Sequence, residues 1–219
     1  AGWNAQNLPK GKVAGVDLRS TIKASQGNTF LIVDLSQIEP RVLHWLAEDT
    51  KMLDYIRESP DLYEAQAKAW GLFAGGSLKA ENPALRHQIK QLALGLGYGM
   101  GAKKFKDVAG IDANEAERLV ALYRSKNPLV TKLWRSLEEM LRKTATANED
   151  NHAEVELPSG RKLVYRNVST DHGGLTVEIP RNGKMMRVGT WGGSLTENLV
   201  QAVARDVFMD RVLALYNSG

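Results

Sequence analysis

Apolar positions change their period twice along the chain, and those changes divide it. Near the start, Val13, Val16 and Leu18 suit a short strand, and Phe30-Leu31-Ile32-Val33 is the kind of β-branched-rich run that forms a fully buried strand. Directly after it, Ser36-Gln37-Ile38-Glu39 has the Ser-x-x-Glu form of a capping box, which predicts a helix from Ser36 carrying Arg41, Leu43 and Trp45. From there to about Ala147 the pattern is helical. Asp49 stands at one helix start. Ser59-Pro60-Asp61 supplies an N-cap and a first-turn proline for a helix that Gly71 ends, and Asn82-Pro83, Asp112-Ala113-Asn114-Glu115 and Asn127-Pro128 open three more. Glu149-Asp150-Asn151 is a polar break. Beyond it the period falls to two, with one hairpin from Val155 to Tyr165 over Pro158-Ser159-Gly160 and a second joining Leu175–Ile179 to Met185–Trp191 around Arg181-Asn182-Gly183. Ser194 to about Tyr216 returns to helical spacing, offering Leu195, Leu199, Ala202, Val203, Val207, Val212 and Leu213 to its buried face.

A chain of 219 residues can bury a sizeable core, as one domain or two closely joined subdomains. Hydrophobic residues at 43% and charged ones at 25% are ordinary globular values that exclude wholesale disorder. The net charge of +4 mildly favours a polyanionic partner. The absence of cysteine excludes disulfides and thiolate zinc sites, and His44, His87, His152 and His172 are scattered without metal-ligand spacing, as surface or core filler. No apolar run reaches bilayer-spanning length and Ala1-Gly2-Trp3-Asn4 lacks a signal-peptide layout, so the expectation is a soluble, cytoplasmic protein with no membrane partner.

Two stretches carry candidate chemistry. Asp34 follows the Phe30–Val33 run, where an ionised carboxylate is costly unless something positive or a row of N–H groups meets it. It either satisfies local backbone donors while Ser36 and Glu39 cap a helix, or it is a ligand for a hard cation such as Mg²⁺. In the helix opened by Pro83, Arg86, Lys90, Leu94 and Tyr98 recur every four residues and share one broad face, ahead of the loosening Gly95, Gly97, Gly99 and Gly101. That face is either a solvated basic stripe or a triphosphate clamp, with a planar Arg fork, a Lys point charge and an aromatic residue to meet a base.

Asp34-Leu35-Ser36-Gln37-Ile38-Glu39-Pro40-Arg41 resembles motif A of the family A DNA polymerases (the DNA polymerase I family), Asp-Tyr-Ser-Gln-Ile-Glu-Leu-Arg. Arg86-x-x-x-Lys90-x-x-x-Leu94-Gly95-x-x-Tyr98-Gly99 resembles their motif B, with Leu94 in place of Phe. Asn4-Ala5-Gln6-Asn7-Leu8-Pro9 is similar to the Asn-Leu-Gln-Asn-Ile-Pro segment ahead of motif A, and Glu197 to Asp206, with Gln201, to the palm helix before motif C of phage-type members; the Leu157-Pro158-Ser159-Gly160-Arg161 hairpin fits the same branch. The likeness spans nearly the whole chain. It implies an α+β fold, with a palm of antiparallel sheet and helices built from residues 1–47 and 151–219 around inserted helical fingers at 48–150. It also implies template-directed addition of deoxynucleoside triphosphates to a primer 3′-hydroxyl, in a bacterial or phage-infected cell.

Residue by residue, the resemblance makes Asp34 the ligand of two Mg²⁺ ions, helped by the Leu35 carbonyl. Arg86 and Lys90 become the triphosphate clamp, with Lys90 also the proton donor to pyrophosphate. Glu39 becomes the steric gate against a ribose 2′-hydroxyl, Gln37 a nucleotide contact, and Tyr98 a neighbour of the templating position. Asn7, Arg41 and Gln201 are placed near the primer-template DNA. Three departures stand out: Leu94 replaces the aromatic packed on the incoming sugar, Tyr63 stands where a phosphate-contacting His is usual, and Pro40 removes an N–H at a helix start, where distortion is expected.

The chain stops at Leu215-Tyr216-Asn217-Ser218-Gly219 before any His-Asp-Glu of motif C, and no thumb or exonuclease sequence precedes it. The expectation is a palm-and-fingers fragment that does not extend a primer alone. A single-subunit RNA polymerase relative would want a more permissive residue at Glu39, and an inert nucleic-acid-binding remnant would grip DNA through salt-sensitive phosphate contacts without needing Mg²⁺.

Overall fold

The computed structural model describes residues 8–9, 11–147, 151–171, 173–181 and 183–218. Asn7, His172, Asn182 and the Glu149-Asp150 part of the polar break lie outside the described residues. The chain divides into two units, Ala1–Ser36 and Gln37–Gly219.

In the first unit, β1 (Lys12–Val13) and β2 (Val16–Asp17) form a small antiparallel hairpin. Its turn residues Ala14 and Gly15 both have positive φ, 48° and 82°, the backbone that a two-residue hairpin turn requires. Arg19 donates through Nη2 to the Leu8 carbonyl at 2.7 Å, which anchors the start of the described chain. The buried strand expected at Phe30–Val33 does not form. These residues form no regular element and have no ladder partners, and Leu31 and Ile32 are 75% and 89% exposed. An apolar run becomes a strand only when neighbours supply hydrogen bonds and a covering face, and no strand among the described residues pairs with this one.

The second unit starts with α1 (Ile38–Leu46). Its N-cap is Gln37 in the left-handed region, φ 54° and ψ 38°, with no side-chain capping bond. The N-cap is thus Gln37, and not Ser36 as the Ser-x-x-Glu pattern predicts. The Glu39 carboxylate accepts a hydrogen bond from the Tyr98 hydroxyl. Pro40 sits in the first turn, where N–H groups have no intrahelical acceptor, so the helix tolerates it.

Among the described residues, seven helices follow: α2 (Thr50–Glu58), α3 (Leu62–Ala69), α4 (Leu78–Glu81), α5 (Pro83–Leu96), α6 (Ala102–Ala109), α7 (Ala113–Lys126) and α8 (Pro128–Thr146). Asp49, Asn82 and Asp112 cap α2, α5 and α7 through side chains that accept the amides of Met52, Leu85 and Glu115. The cap of α3 is Asp61, which accepts from the Tyr63 amide, and not Ser59; Pro60 precedes the cap. Gly71, at φ 73°, follows the end of α3 in the left-handed conformation that closes helices.

The two expected hairpins form one antiparallel meander, β3 (Ala153–Glu156), β4 (Lys162–Ser169), β5 (Thr176–Arg181) and β6 (Lys184–Gly189), in that spatial order. The last element is α9 (Gly192–Asn217). Its buried residues stop at Ala204, while Val207, Val212 and Leu213 are exposed, against expectation: the helix outruns the elements that cover its first half. The architecture is α+β. One apolar cluster joins α1, α8, the meander and α9 through Leu43, Leu141, Val168, Leu195 and Val200, and a second joins α2 to α7 through Leu62, Leu78, Ile89, Phe105 and Tyr123.

Candidate functional site

Helix α5 is bound to the second cluster by Ile89, Leu92, Ala93 and Leu96, at most 3% exposed, so its other face turns outward. On that outer face Lys90 and Leu94 are exposed and Arg86 is half-buried. Lys90 makes no hydrogen bond or ion pair with the described residues. Tyr98, expected on the same helix, lies just beyond its end, past the cap Gly97 and before Gly99 at φ 75°.

Arg86 is held from behind. Its Nε donates to Asp61 Oδ2 at 2.5 Å, and its guanidinium lies 5.2 Å above the centre of the Tyr63 ring. Asp61 Oδ1 accepts from Gln37 Nε2 and from the Tyr63 amide, each at 3.1 Å, and Gln37 Oε1 accepts the Leu62 amide at 2.9 Å. Burial raises the Asp61 carboxyl, but the bonds from Arg86, Gln37 and Tyr63 outweigh it and hold the group below the usual carboxylate range. Tyr63 is 5% exposed, and burial pushes its phenol up. Sequence reasoning missed Asp61 as a site residue; the signal was its place as an N-cap beside Tyr63.

At the far end of α5, the Tyr98 hydroxyl donates to Glu39 Oε2 at 3.2 Å. Burial first, then the adjacent Glu39 charge, push the Tyr98 phenol far above its ordinary range, so it stays neutral. A groove of about 350 Å³ opens beside it, lined by Leu94, Tyr98, Met100, Lys104, Trp191 and Glu197 among others. Two glycines let α9 approach: a Cβ on Gly193 would stand 1.9 Å from the Tyr98 carbonyl oxygen and one on Gly192 2.1 Å from that of Trp134. Trp134 Nε1 donates to the Gly97 carbonyl at 2.9 Å and completes the junction. Trp191, Glu197 and Lys104 had no signal in periodicity or spacing.

Arg41, half-buried, reaches the Pro60 carbonyl at 3.5 Å, and Gln201 is exposed on α9, donating to Glu197 at 3.4 Å. Asp34 is exposed and Leu35 half-buried in the first unit. Among the described residues no group of three His, Cys, Asp or Glu side chains comes together to hold a metal. His44 is fully buried core, its Nδ1 3.1 Å from Asp49 Oδ2.

The chain is 30% identical over 226 residues to a DNA polymerase of Bacillus phage SP02, a match that takes in 92% of this chain and 35% of that one. It is 31% identical over 172 residues to DNA polymerase I of Pseudomonas aeruginosa, across 78% of this chain and 18% of that one. It thus spans about a third or less of these relatives' length. The POL domain of Pol1 from M. smegmatis, solved in complex with DNA primer-template and dNTP, superposes with a TM-score of 0.58 over 92% of this chain and 31% of that one; at 20% identity that likeness concerns the fold. No helix among the described residues is long and apolar enough to cross a membrane. The sequence model of DNA polymerase family A matches residues 2–173, and the chain belongs to that family.

Proposed function

We propose that the chain is the nucleotide-gripping part of a template-directed DNA polymerase, and that the outward face of α5 receives the triphosphate of an incoming deoxynucleotide. The observation that carries this is Lys90, exposed and without a hydrogen bond or ion pair among the described residues, one helical turn from an Arg86 held through Nε with its terminal amines unbonded among those residues. An ammonium and a guanidinium edge at that spacing suit a chain of phosphate oxygens. Leu94 and Tyr98 continue the face toward the groove, where sugar and base would lie, with Glu39 beside Tyr98 as the gate against a 2′-hydroxyl. Gln37, tied to Asp61, and Tyr63, beneath Arg86, would act on the nucleotide through those partners. Arg41, Gln201 and Asn7 would serve the primer-template DNA.

Asp34 and the Leu35 carbonyl are oxygen donors of the kind Mg²⁺ takes. They amount to one carboxylate and one carbonyl, and among the described residues no group of three His, Cys, Asp or Glu side chains comes together as a set for two ions. The palm, in this reading, is residues 1–47 and 151–219, and the fingers 48–150.

The test compares binding of a deoxynucleoside triphosphate with that of the bare deoxynucleoside, alongside a primer-extension assay on the chain alone. Triphosphate-dependent binding without extension is expected. Equal, negligible binding of both ligands, with salt-sensitive DNA binding retained, would favour an inert nucleic-acid-binding module.

A further inference from the structure

Arg86 contacts the rest of the protein through one edge. Asp61 Oδ2 accepts from Nε, the Tyr63 ring supports the guanidinium plane, and Nη1 and Nη2 make no hydrogen bond with the described residues. Asp61 is itself immobilised: its second oxygen is taken by Gln37 and the Tyr63 amide, and its backbone is the cap of α3. The carboxylate is thus a fixed post that fixes the roll of the guanidinium and leaves the Nη1–Nη2 edge, which can meet two phosphate oxygens at once, free to bind.

We infer that Asp61 is a positioning residue for triphosphate capture, acting through Arg86 and never touching the nucleotide. The inference rests on the reading of α5 as the triphosphate face. An unrestrained Arg side chain loses rotamer freedom when it binds, and a side chain already held in its bound orientation avoids that loss. Asp61 also places a negative charge behind Arg86, which opposes an anion. The orienting effect is taken to prevail because the carboxylate lies on the side of the guanidinium remote from the free edge and its charge is offset by Arg86 itself.

Asp61→Asn isolates this role. Asn caps a helix as well as Asp does, so the Tyr63 amide keeps its acceptor, but the amide group now facing Arg86 Nε is a donor and releases it. The measurement is the dissociation constant of dGTP, with Mg²⁺, for the wild-type chain, D61N, R86A and the double variant, together with thermal melting. The expected result is a loss of about five- to ten-fold in D61N with melting little changed, a larger loss in R86A, and no further loss on adding D61N to R86A. Arg86→Lys, which keeps the charge but lacks Nε and the planar edge, replaces R86A if that variant does not fold. Unchanged or tighter binding in D61N, beside weakened binding in R86A, would overturn the inference and leave the clamp standing. An undiminished D61N effect in the Arg86 variant would also overturn it. Unchanged binding in R86A would remove the clamp itself, and the inference with it.

Discussion

The hydroxyl of Tyr98, just past the end of α5, donates to the Glu39 carboxylate in the first turn of α1 at 3.2 Å. This bond ties the two stretches with the strongest family likeness and occupies the carboxylate that a capping box would have used. Glu39→Ala should therefore remove the partner of a half-buried phenol, at a cost of about 1–3 kcal/mol of stability. If Glu39 is also the gate, the same variant should bind a ribonucleoside triphosphate nearly as well as the deoxy form. Melting and the ratio of the two affinities, measured on one preparation, check both effects. Lower melting with an unchanged ratio would leave Glu39 a purely structural role.

Gly193 lies where any side chain would strike the Tyr98 backbone, its added Cβ only 1.9 Å from a carbonyl oxygen. Backbone cannot swing aside as a flexible side chain can. Gly193→Ala should destabilise the chain by about 1–3 kcal/mol or more and displace Tyr98 from Glu39. Chemical denaturation, with tyrosine fluorescence or NMR for the displacement, would detect both.

Asp49 links a buried His44 to the start of α2, accepting also from the Met52 amide at 3.1 Å. Burial raises its carboxyl, and the His44 and Met52 bonds more than reverse that, leaving it below the usual range. A carboxyl whose folded pKa is depressed stabilises the fold fully above its unfolded value, about 3.9, and loses that contribution as pH falls through the folded value. Acid titration should thus show wild-type stability falling below about pH 4, with a shallower fall in Asp49→Asn, which keeps the cap but loses the charge. Parallel curves would contradict this role for Asp49.

Much of the fold was legible where local chemistry decides it. Asn82-Pro83 and Asp112 open helices because short polar side chains accept free amides, and Pro158-Ser159-Gly160 turns a hairpin because Gly160 takes φ 79°. The errors fall where the answer depends on distant residues. Phe30–Val33 has the composition of a buried strand, yet burial requires a neighbour that composition does not reveal. The apolar spacing of α9 continues past Ala204, but periodicity does not say where the covering elements end. At the site, Arg86, Lys90 and Leu94 were legible through their four-residue step. Asp61 was not, because its ion pair with Arg86 joins residues 25 positions apart through the docking of α3 on α5.

Lys90 gives the most direct test of the α5 face, because its side chain is exposed and makes no hydrogen bond or ion pair with the described residues. Lys90→Ala should leave melting essentially unchanged, within about 0.5 kcal/mol of stability. Titration of both proteins with a deoxynucleoside triphosphate should show at least about a ten-fold loss of affinity in the variant, the size expected for one charged hydrogen bond. Equal affinity in wild type and variant would contradict the assignment of this face to the triphosphate.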